Sequence, residues 1–286
     1  MQENEGWRII FTGADDAFFN MAMDEALLLS CQNGSSPPVV RLYRWNQPAV
    51  SLGYAQSAHK AVDLKRCEER GIHLVRRITG GRAVLHEDEI TYSLCARLDG
   101  SPRLGQSTLQ TYEKISMALL ESLRLLGVEG EWVKPLPKRD LLSHHPDLSK
   151  PCFASSSRYE ITVRGKKLIG SAQRRFSLPS AKGRQHSVIQ HGSIPTGKGK
   201  QSLAELLPGG LSAERMRRTL QCSATDLGQI VKRRVGPDEM ISVLKAGFRE
   251  VFATGMHDSE VSPEELQAAK LLMQEKYLRD EWNLLR

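Results

Sequence analysis

The segment 151–175, PCFASSSRYEITVRGKKLIGSAQRR, constrains this chain more tightly than any other. Tyr159, Ile161 and Val163 mark a short strand, and an Arg164-Gly165-Lys166 turn follows. A second strand opens at Lys167 and runs into the small residues Gly170, Ser171 and Ala172. Two short strands across a glycine-containing turn read as a β-hairpin. A hairpin folds back on itself, so Cys152, ahead of the first strand, and Lys167, opening the second, are placed to meet. A thiol beside an ammonium ionises more readily, because the thiolate gains a cationic neighbour. That pairing is what covalent acyl transfer requires. Taken singly, Cys152 reads as an inert thiol and Lys167 as a surface charge. The loop before Cys152 favours the reactive reading, since nucleophiles sit on accessible loops braced by a scaffold.

The rest of the composition narrows the class. A chain of 286 residues, 40% hydrophobic and 26% charged, suits a soluble globular protein of one domain or two. No apolar run approaches the roughly 20 residues that span a bilayer. The opening MQENEGWRII has neither the basic nor the apolar part of a signal peptide, so a cytoplasmic address and no membrane contact are expected. Five cysteines, at 31, 67, 95, 152 and 222, form no CxxC pair and no zinc-ligand spacing. Neither a metal site nor a disulfide scaffold is expected. Most of them read as small buried hydrophobes, Cys95 among them. The net charge of +7 suits nucleic acid, a membrane surface or acidic proteins. With no RNA-recognition, zinc-finger or basic-zipper motif and no long basic amphipathic helix, acidic proteins or anionic small molecules are the expected partners, not nucleic acid.

Along the chain, 7–11 reads as a strand and 20–31 as a helix with a dense apolar face. Strands follow at 39–45 and 49–54, a polar helix at 62–70 ended by Gly71, and a strand at 73–77. Residues 89–98 alternate Ile90, Tyr92, Leu94, Ala96 and Leu98 on one face, as a half-buried strand does. A long helix at 107–126 carries Tyr112, Ile115, Leu119, Leu123 and Leu126 on one stripe and ends at Gly127. Segments 134–150 and 174–187 read as exposed loops, and 187–194 as a strand. From about 200 onward the chain reads as helical, with Ser262-Pro263-Glu264-Glu265 opening the last helix as an N-cap, a first-turn proline and a capping-box glutamate. The picture is a single α/β domain over 1–286 with a helical tail and no linker.

A second constellation is RRITGGRAVLH, 76–86. Gly80 and Gly81 let the backbone approach a ligand closely, and Arg76, Arg77 and Arg82 suit a phosphate or carboxylate. It is neither a P-loop nor a dinucleotide fingerprint, and a hairpin turn with solvated arginines explains it as well. Thr79, His86 and His191 are candidate polar contacts, and His86 by itself reads more simply as structural. Gly170, Ser171 and Ala172 keep their strand slim, leaving room for an alkyl chain or for close strand–helix packing. The run Gln190-His191-Gly192-Ser193 offers polar groups or is an edge strand. No GxSxG elbow, HExxH or Walker lysine is present.

Taken together and in order, these segments resemble the biotin/lipoate protein ligase superfamily, and within it the LipM-type octanoyltransferases. The resemblance spans nearly the whole chain: 20–26 with a first helix, 41–45 and 51–56 with the next strands, 76–86 with a ligand loop, Cys152-Phe153 and 165–173 with nucleophile and lysine segments, and 190–194 and 276–283 with the remainder. It implies an α/β (α+β) fold of mixed sheets flanked by helices, without a separate accessory domain. It implies Cys152 and Lys167 as catalytic residues and Arg76, Arg77, Thr79, Gly80, Gly81, Arg82, His86, Gly170, Ser171, Ala172 and His191 as substrate-binding. It also implies transfer of an octanoyl group from acyl carrier protein, through a thioester on Cys152, to a lysine of a lipoyl-domain protein such as glycine cleavage H protein. No cofactor is then needed, since the octanoyl-phosphopantetheine arrives on acyl carrier protein, and a monomer suffices.

The resemblance extends to ATP-dependent lipoate–protein ligases, whose ligand loop usually reads GGGAVYH. Here Arg82 stands at the third glycine and Leu85 at the tyrosine, which favours the transferase. A lipoyl-domain amidotransferase, which also uses a cysteine, and a binding module without turnover are the remaining alternatives.

Overall fold

The computed structural model describes residues 6–133, 159–180, 183–208, 218, 222–252 and 255–285. Cys152, Phe153, the serines at 155–157 and the expected loop 134–150 lie outside the described residues.

Strand β1 (Arg8–Asp15) leads into helix α1 (Ala17–Asn33), then β2 (Val39–Trp45), β3 (Ala49–Leu52), the short helices α2 (Ala58–Ala61) and α3 (Leu64–Glu69), β4 (His73–Arg76), β5 (Val84–His86), β6 (Glu89–Arg97) and helix α4 (Thr108–Leu125). Strands β7 (Glu131–Val133), β8 (Glu160–Val163), β9 (Lys166–Ser180) and β10 (Gly183–Pro195) follow. Beyond them are helices Leu227–Val231 and Pro237–Phe252, strand β11 (His257–Asp258), and helices Pro263–Leu272 and Asp280–Asn283. Eight strands make one mixed sheet in the order β11-β1-β2-β6-β10-β9-β8-β7, and β4-β3-β5 make a second.

Local sequence sets the element ends. Asp16 starts α1 by accepting from the Phe18 and Phe19 backbone N–H groups, so the helix begins one turn before the apolar pattern suggests. Ser107 and Gln110 cap α4 reciprocally, and Gly127 follows at φ +78°. The β8–β9 turn is Arg164-Gly165, both with positive φ, as a two-residue turn joining twisted strands requires. The expected polar helix at 62–70 is α3, which starts at Leu64 because Asp63 caps it by accepting from the Arg66 N–H, and the short α2 precedes it.

Helices α4 and Pro237–Phe252 bury Ile115, Leu119, Leu123, Leu244, Phe248 and Phe252 against Leu42, Ile90, Tyr92 and Leu94 on one face of the large sheet. Helix α1 covers the other face with Met21, Ala22, Leu27 and Cys31 against Val39, Tyr43 and Ile189. With helices on both sides, β6 is buried from Glu89 through Ala96 and not merely on its apolar face. Segment 174–187 is a strand pair, not a loop: β9 and β10 stay in register from Arg174↔Ile189 out to Ser180↔Gly183. The outer part of that ribbon, 174–179 and 183–186, is half-buried or exposed, so polar residues occupy it without a readable alternation. The run at 190–193 lies on β10 between β6 and β9, so it is interior and not an edge. The C-terminal third also holds β11, parallel to β1, and the helix opened by Ser262 is followed by a further one at Asp280–Asn283.

Arg76 belongs to this framework. It is 0% exposed, and its guanidinium donates to the carbonyl oxygens of Gly53, Tyr54 and Gln56 on one side and of Trp282, Asn283 and Leu285 on the other. Its backbone N–H donates to Asn283 Oδ1 at 2.9 Å. Arg76 thus ties the C-terminal segment to β4 and to the turn after β3, and the expected substrate contact is replaced by a structural one. Arg76→Ala leaves these carbonyls unanswered in the interior and is expected to lower unfolding stability by about 3 kcal/mol or more. A shift of less than about 1 kcal/mol in urea unfolding would refute this role.

Candidate active site

Between the small sheet and the large one lies a cavity of about 280 Å³. Its closed end is made by buried residues: Met21 of α1, Trp45 of β2, Ser51 of β3, His86 of β5, Thr91 of β6 and His191 of β10. Its open end is made by half-buried or exposed ones: Gly81, Arg82 and Val84 on one side, Gly170, Ser171 and Gln173 on the other.

The glycine loop owes its shape to close backbone packing. A Cβ on Gly53 would stand 2.0 Å from the Gly81 carbonyl oxygen, and Gly81 sits at φ +94°. Arg77 braces the loop from inside. Its guanidinium donates at 2.8 Å to the Ser51, Gly80 and Arg82 carbonyls, and the residue is buried. It lines the cavity, but these bonds commit its charge to scaffold. Arg76 and Arg77 therefore do not form a surface cluster with Arg82. Exposed cations gather elsewhere: Lys198, Lys232 and Arg234 rim a separate hollow of about 500 Å³ with half-buried Arg44.

Two buried polar networks stand behind the closed end. In the first, Asp24 of α1 accepts from Arg41 at 2.8 Å, from the Ser93 hydroxyl at 2.7 Å and from the Tyr43 hydroxyl at 3.0 Å. His191 turns Nδ1 to Asp24 at 3.1 Å and Nε2 to the Thr79 hydroxyl at 2.6 Å. Nδ1 therefore carries the proton and Nε2 accepts from Thr79. Burial pushes the imidazole below its usual pKa, outweighing the pull of Asp24. Burial alone would raise the Asp24 carboxyl; His191, Arg41 and Ser93 together hold it below the usual range. In the second network, His86 faces Glu89 at 2.8 Å and Ser51 at 2.7 Å and stacks on Trp45 at 4.0 Å. Glu89 also accepts from Thr91 and Ser193. Polar by residue type, this end has its hydrogen bonds answered internally, so an apolar guest leaves no buried donor or acceptor stranded there.

The networks make stability pH-dependent. His191 stays neutral in the native state, while the unfolded chain takes up a proton below about pH 6.5. Stability is therefore expected to fall as pH drops below that value, and to fall further below about pH 4, where unfolded carboxyls protonate while native Asp24 and Glu89, held low, resist. His191→Asn should flatten the first step in a series of urea midpoints against pH. An unchanged profile would refute the assignment.

Lys167 is 4% exposed, and its ammonium pairs with the carboxylate of Glu160 across the β8–β9 hairpin. It does not line the cavity, but it precedes Gly170 at the cavity's rim on the same strand. Of the residues expected at the site, Arg77, Gly80, Gly81, Arg82, His86, Gly170, Ser171, Ala172 and His191 are brought to one cavity, with Thr79 bonded to His191 just behind. The sequence reading assigned no role to Asp24, Glu89, Glu160, Trp45 or Gln173. Asp24 carried a signal nonetheless, as a carboxylate on the apolar face of α1.

The sheets, the flanking helices and the cavity beneath a glycine loop define a lipoate-ligase-like catalytic domain. Among solved structures, a lipoate-protein ligase A bound with ATP matches with a TM-score of 0.76 at 24% identity, covering 98% of this chain and 99% of that one. A bipartite lipoate protein ligase from Thermoplasma acidophilum matches with a TM-score of 0.77 at 23% identity, covering 99% and 98%. The family model for the lipoyl protein ligase A/B catalytic domain matches residues 16–249. Octanoyltransferase LipM of Kyrpidia tusciae is 38% identical over 279 residues, covering 97% of this chain and 98% of that protein. Octanoyltransferase LipM of Bacillus subtilis is 34% identical over 286 residues, covering 99% and 100%. The chain belongs to the lipoyl protein ligase A/B catalytic-domain family and, within it, to the LipM-type octanoyltransferases, which are acyltransferases.

Proposed function

We propose that this acyltransferase moves an octanoyl group from the phosphopantetheine thioester of acyl carrier protein to Cys152, and from there to a lysine of a lipoyl-domain protein such as glycine cleavage H protein. The Cys152 thiolate attacks the thioester carbonyl, the pantetheine C–S bond breaks, and pantetheine leaves as a thiol after taking a proton. The acceptor amine then attacks; a C–N bond forms, the Cys152 C–S bond breaks, and the proton lost by the amine returns to the thiolate by way of Lys167. Exchange between thioesters is near balance and amide formation is downhill, so ATP is not needed.

The observation that carries the reading is the cavity itself: closed and internally satisfied at one end, open at the slim strand Gly170–Ala172 shortly after Lys167. An octanoyl tail fits the closed end, and the carrier, too large to enter, holds the reacting carbonyl at the rim. The cysteines among the described residues favour Cys152 by default. Burial pushes the Cys31 thiol up to about 12 and Cys67 to about 11, and raises Cys95 well above its usual value. Neither these three nor exposed Cys222 lines the cavity. Glu160 fixes the position of the Lys167 ammonium.

Intact-mass analysis after incubation with octanoyl-acyl carrier protein, without ATP, tests the reading. One octanoyl mass on the protein, passed on to an added lipoyl domain, is expected. A requirement for ATP and free acid would point to the ligase instead, and a stable complex without transfer to a binding module.

A further inference from the structure

A hydrogen-bonded chain outside both networks ends at the cavity rim. Gln173 Nε2 donates to Gln190 Oε1 at 2.9 Å, Gln190 Nε2 donates to the Tyr92 hydroxyl at 2.9 Å, and that hydroxyl lies 2.7 Å from Ser171 Oγ. Either hydroxyl can donate in that bond; the Tyr92 proton, not used in accepting from Gln190, is free to go to Ser171. Ser171 then accepts through one lone pair and keeps its own proton, for which the described residues offer no acceptor. Both end residues of the chain line the cavity at its open end. At the other end of the chain, Gln173 Oε1 is buried without a partner. The backbone has made room for this arrangement: a Cβ on Gly192 would stand 2.6 Å from the Tyr92 ring and 2.7 Å from Ser171 Oγ.

A buried acceptor left open is costly unless a ligand answers it, and here a half-buried hydroxyl donor stands beside it at the cavity mouth. We infer that Ser171 is a catalytic donor to the thioester carbonyl oxygen, oriented by the Gln190–Tyr92 pair, and that Gln173 Oε1 accepts an N–H of the incoming lysine amine. The inference rests on the proposed octanoyl transfer, which sets the reacting carbonyl at the rim. As the carbonyl becomes tetrahedral, negative charge builds on its oxygen, and a donor already aimed there stabilises it without reorganising. The phenol of Tyr92 stays protonated, since burial raises its pKa to about 12. Tyr92 and Gln190 touch no reacting atom and act as positioning residues. Gln173 meets the nucleophile only in the second half-reaction.

Single-turnover kinetics separate these roles, with octanoyl-enzyme formation and its discharge onto a lipoyl domain followed by intact mass. Ser171→Ala is expected to slow both half-reactions about 100-fold, the usual effect of losing one oxyanion donor. Gln173→Met should slow discharge about 10-fold while changing acylation by no more than about twofold. Tyr92→Phe should slow both steps about 10-fold, and its effect should vanish in the Ser171→Ala background, because the two act through one hydrogen bond. Thermal unfolding of each variant separates these effects from loss of fold. Ser171→Ala within about twofold of wild type in both steps, with the wild-type adduct forming normally, overturns the inference alone. Additive effects of Ser171→Ala and Tyr92→Phe overturn the chain. A wild-type protein that acquires no thioester adduct overturns the underlying reading and the inference with it.

Discussion

Cys152→Ala protein incubated with octanoyl-acyl carrier protein is expected to gain no octanoyl mass and to lose transfer by about a thousandfold or more, as removal of a covalent nucleophile does. Cys152→Ser should be inactive too, or stall as an octanoyl ester that discharges poorly, because a serine hydroxyl ionises far less readily than a thiol. Lys167→Ala should retain the thiol but slow its alkylation near neutral pH and shift the alkylation profile upward, since the neighbouring positive charge is lost. Lys167→Arg keeps that charge, but its guanidinium does not release a proton, so discharge should remain impaired. Full transfer by Cys152→Ala would refute covalent catalysis at this residue. An unchanged alkylation profile in Lys167→Ala would mean the two side chains do not interact.

Asp24→Asn is expected to have the largest effect on stability, about 3–5 kcal/mol. Arg41 is fully buried, and Asp24 is the carboxylate that answers its guanidinium, at 2.8 Å. The amide leaves that charge uncompensated in the interior, which costs more than the pair itself contributes. Removing both charges, as in Asp24→Asn with Arg41→Met, should recover part of the loss. The recovery distinguishes a stranded charge from a simple packing defect. A urea midpoint for the single variant within about 0.5 kcal/mol of wild type would refute this account. His191 is coupled to the same carboxylate, whose pull works against burial, so the single variant should deepen the pH step assigned to the imidazole while removing the Asp24 share of the step below about pH 4.

Several elements were readable because their causes are local. Gly165 specifies a tight turn because glycine adopts positive φ without steric cost, and Ser107 with Gln110 and Ser262 with Glu265 cap helices within four residues of chain. The order of the motifs placed Gly80, Gly81, Arg82 and Gly170, Ser171, Ala172 in one site, and the structure gathers them around one cavity.

Other features depended on which surface a segment meets. On β6, Ile90, Tyr92 and Leu94 alternate with Glu89, Thr91 and Ser93, a pattern that reads as half-buried. A period of two separates the faces of a strand but does not say whether the polar face meets water or a buried site. Here it meets the hydrogen-bonded wall behind the cavity. Arg76 and Arg77 illustrate the same limit: their charge suits an anion, yet their guanidinium groups are spent on carbonyls, some of them more than 200 residues distant in sequence. The alternation, turns and caps of this chain were determined by its sequence, because each acts through neighbouring residues. The Lys167–Glu160 pair, the Asp24–Arg41–His191 network and the Gln173-to-Ser171 chain were decided by tertiary structure. Each becomes strong only when the fold removes water from around polar groups that the sequence alone leaves free to solvate.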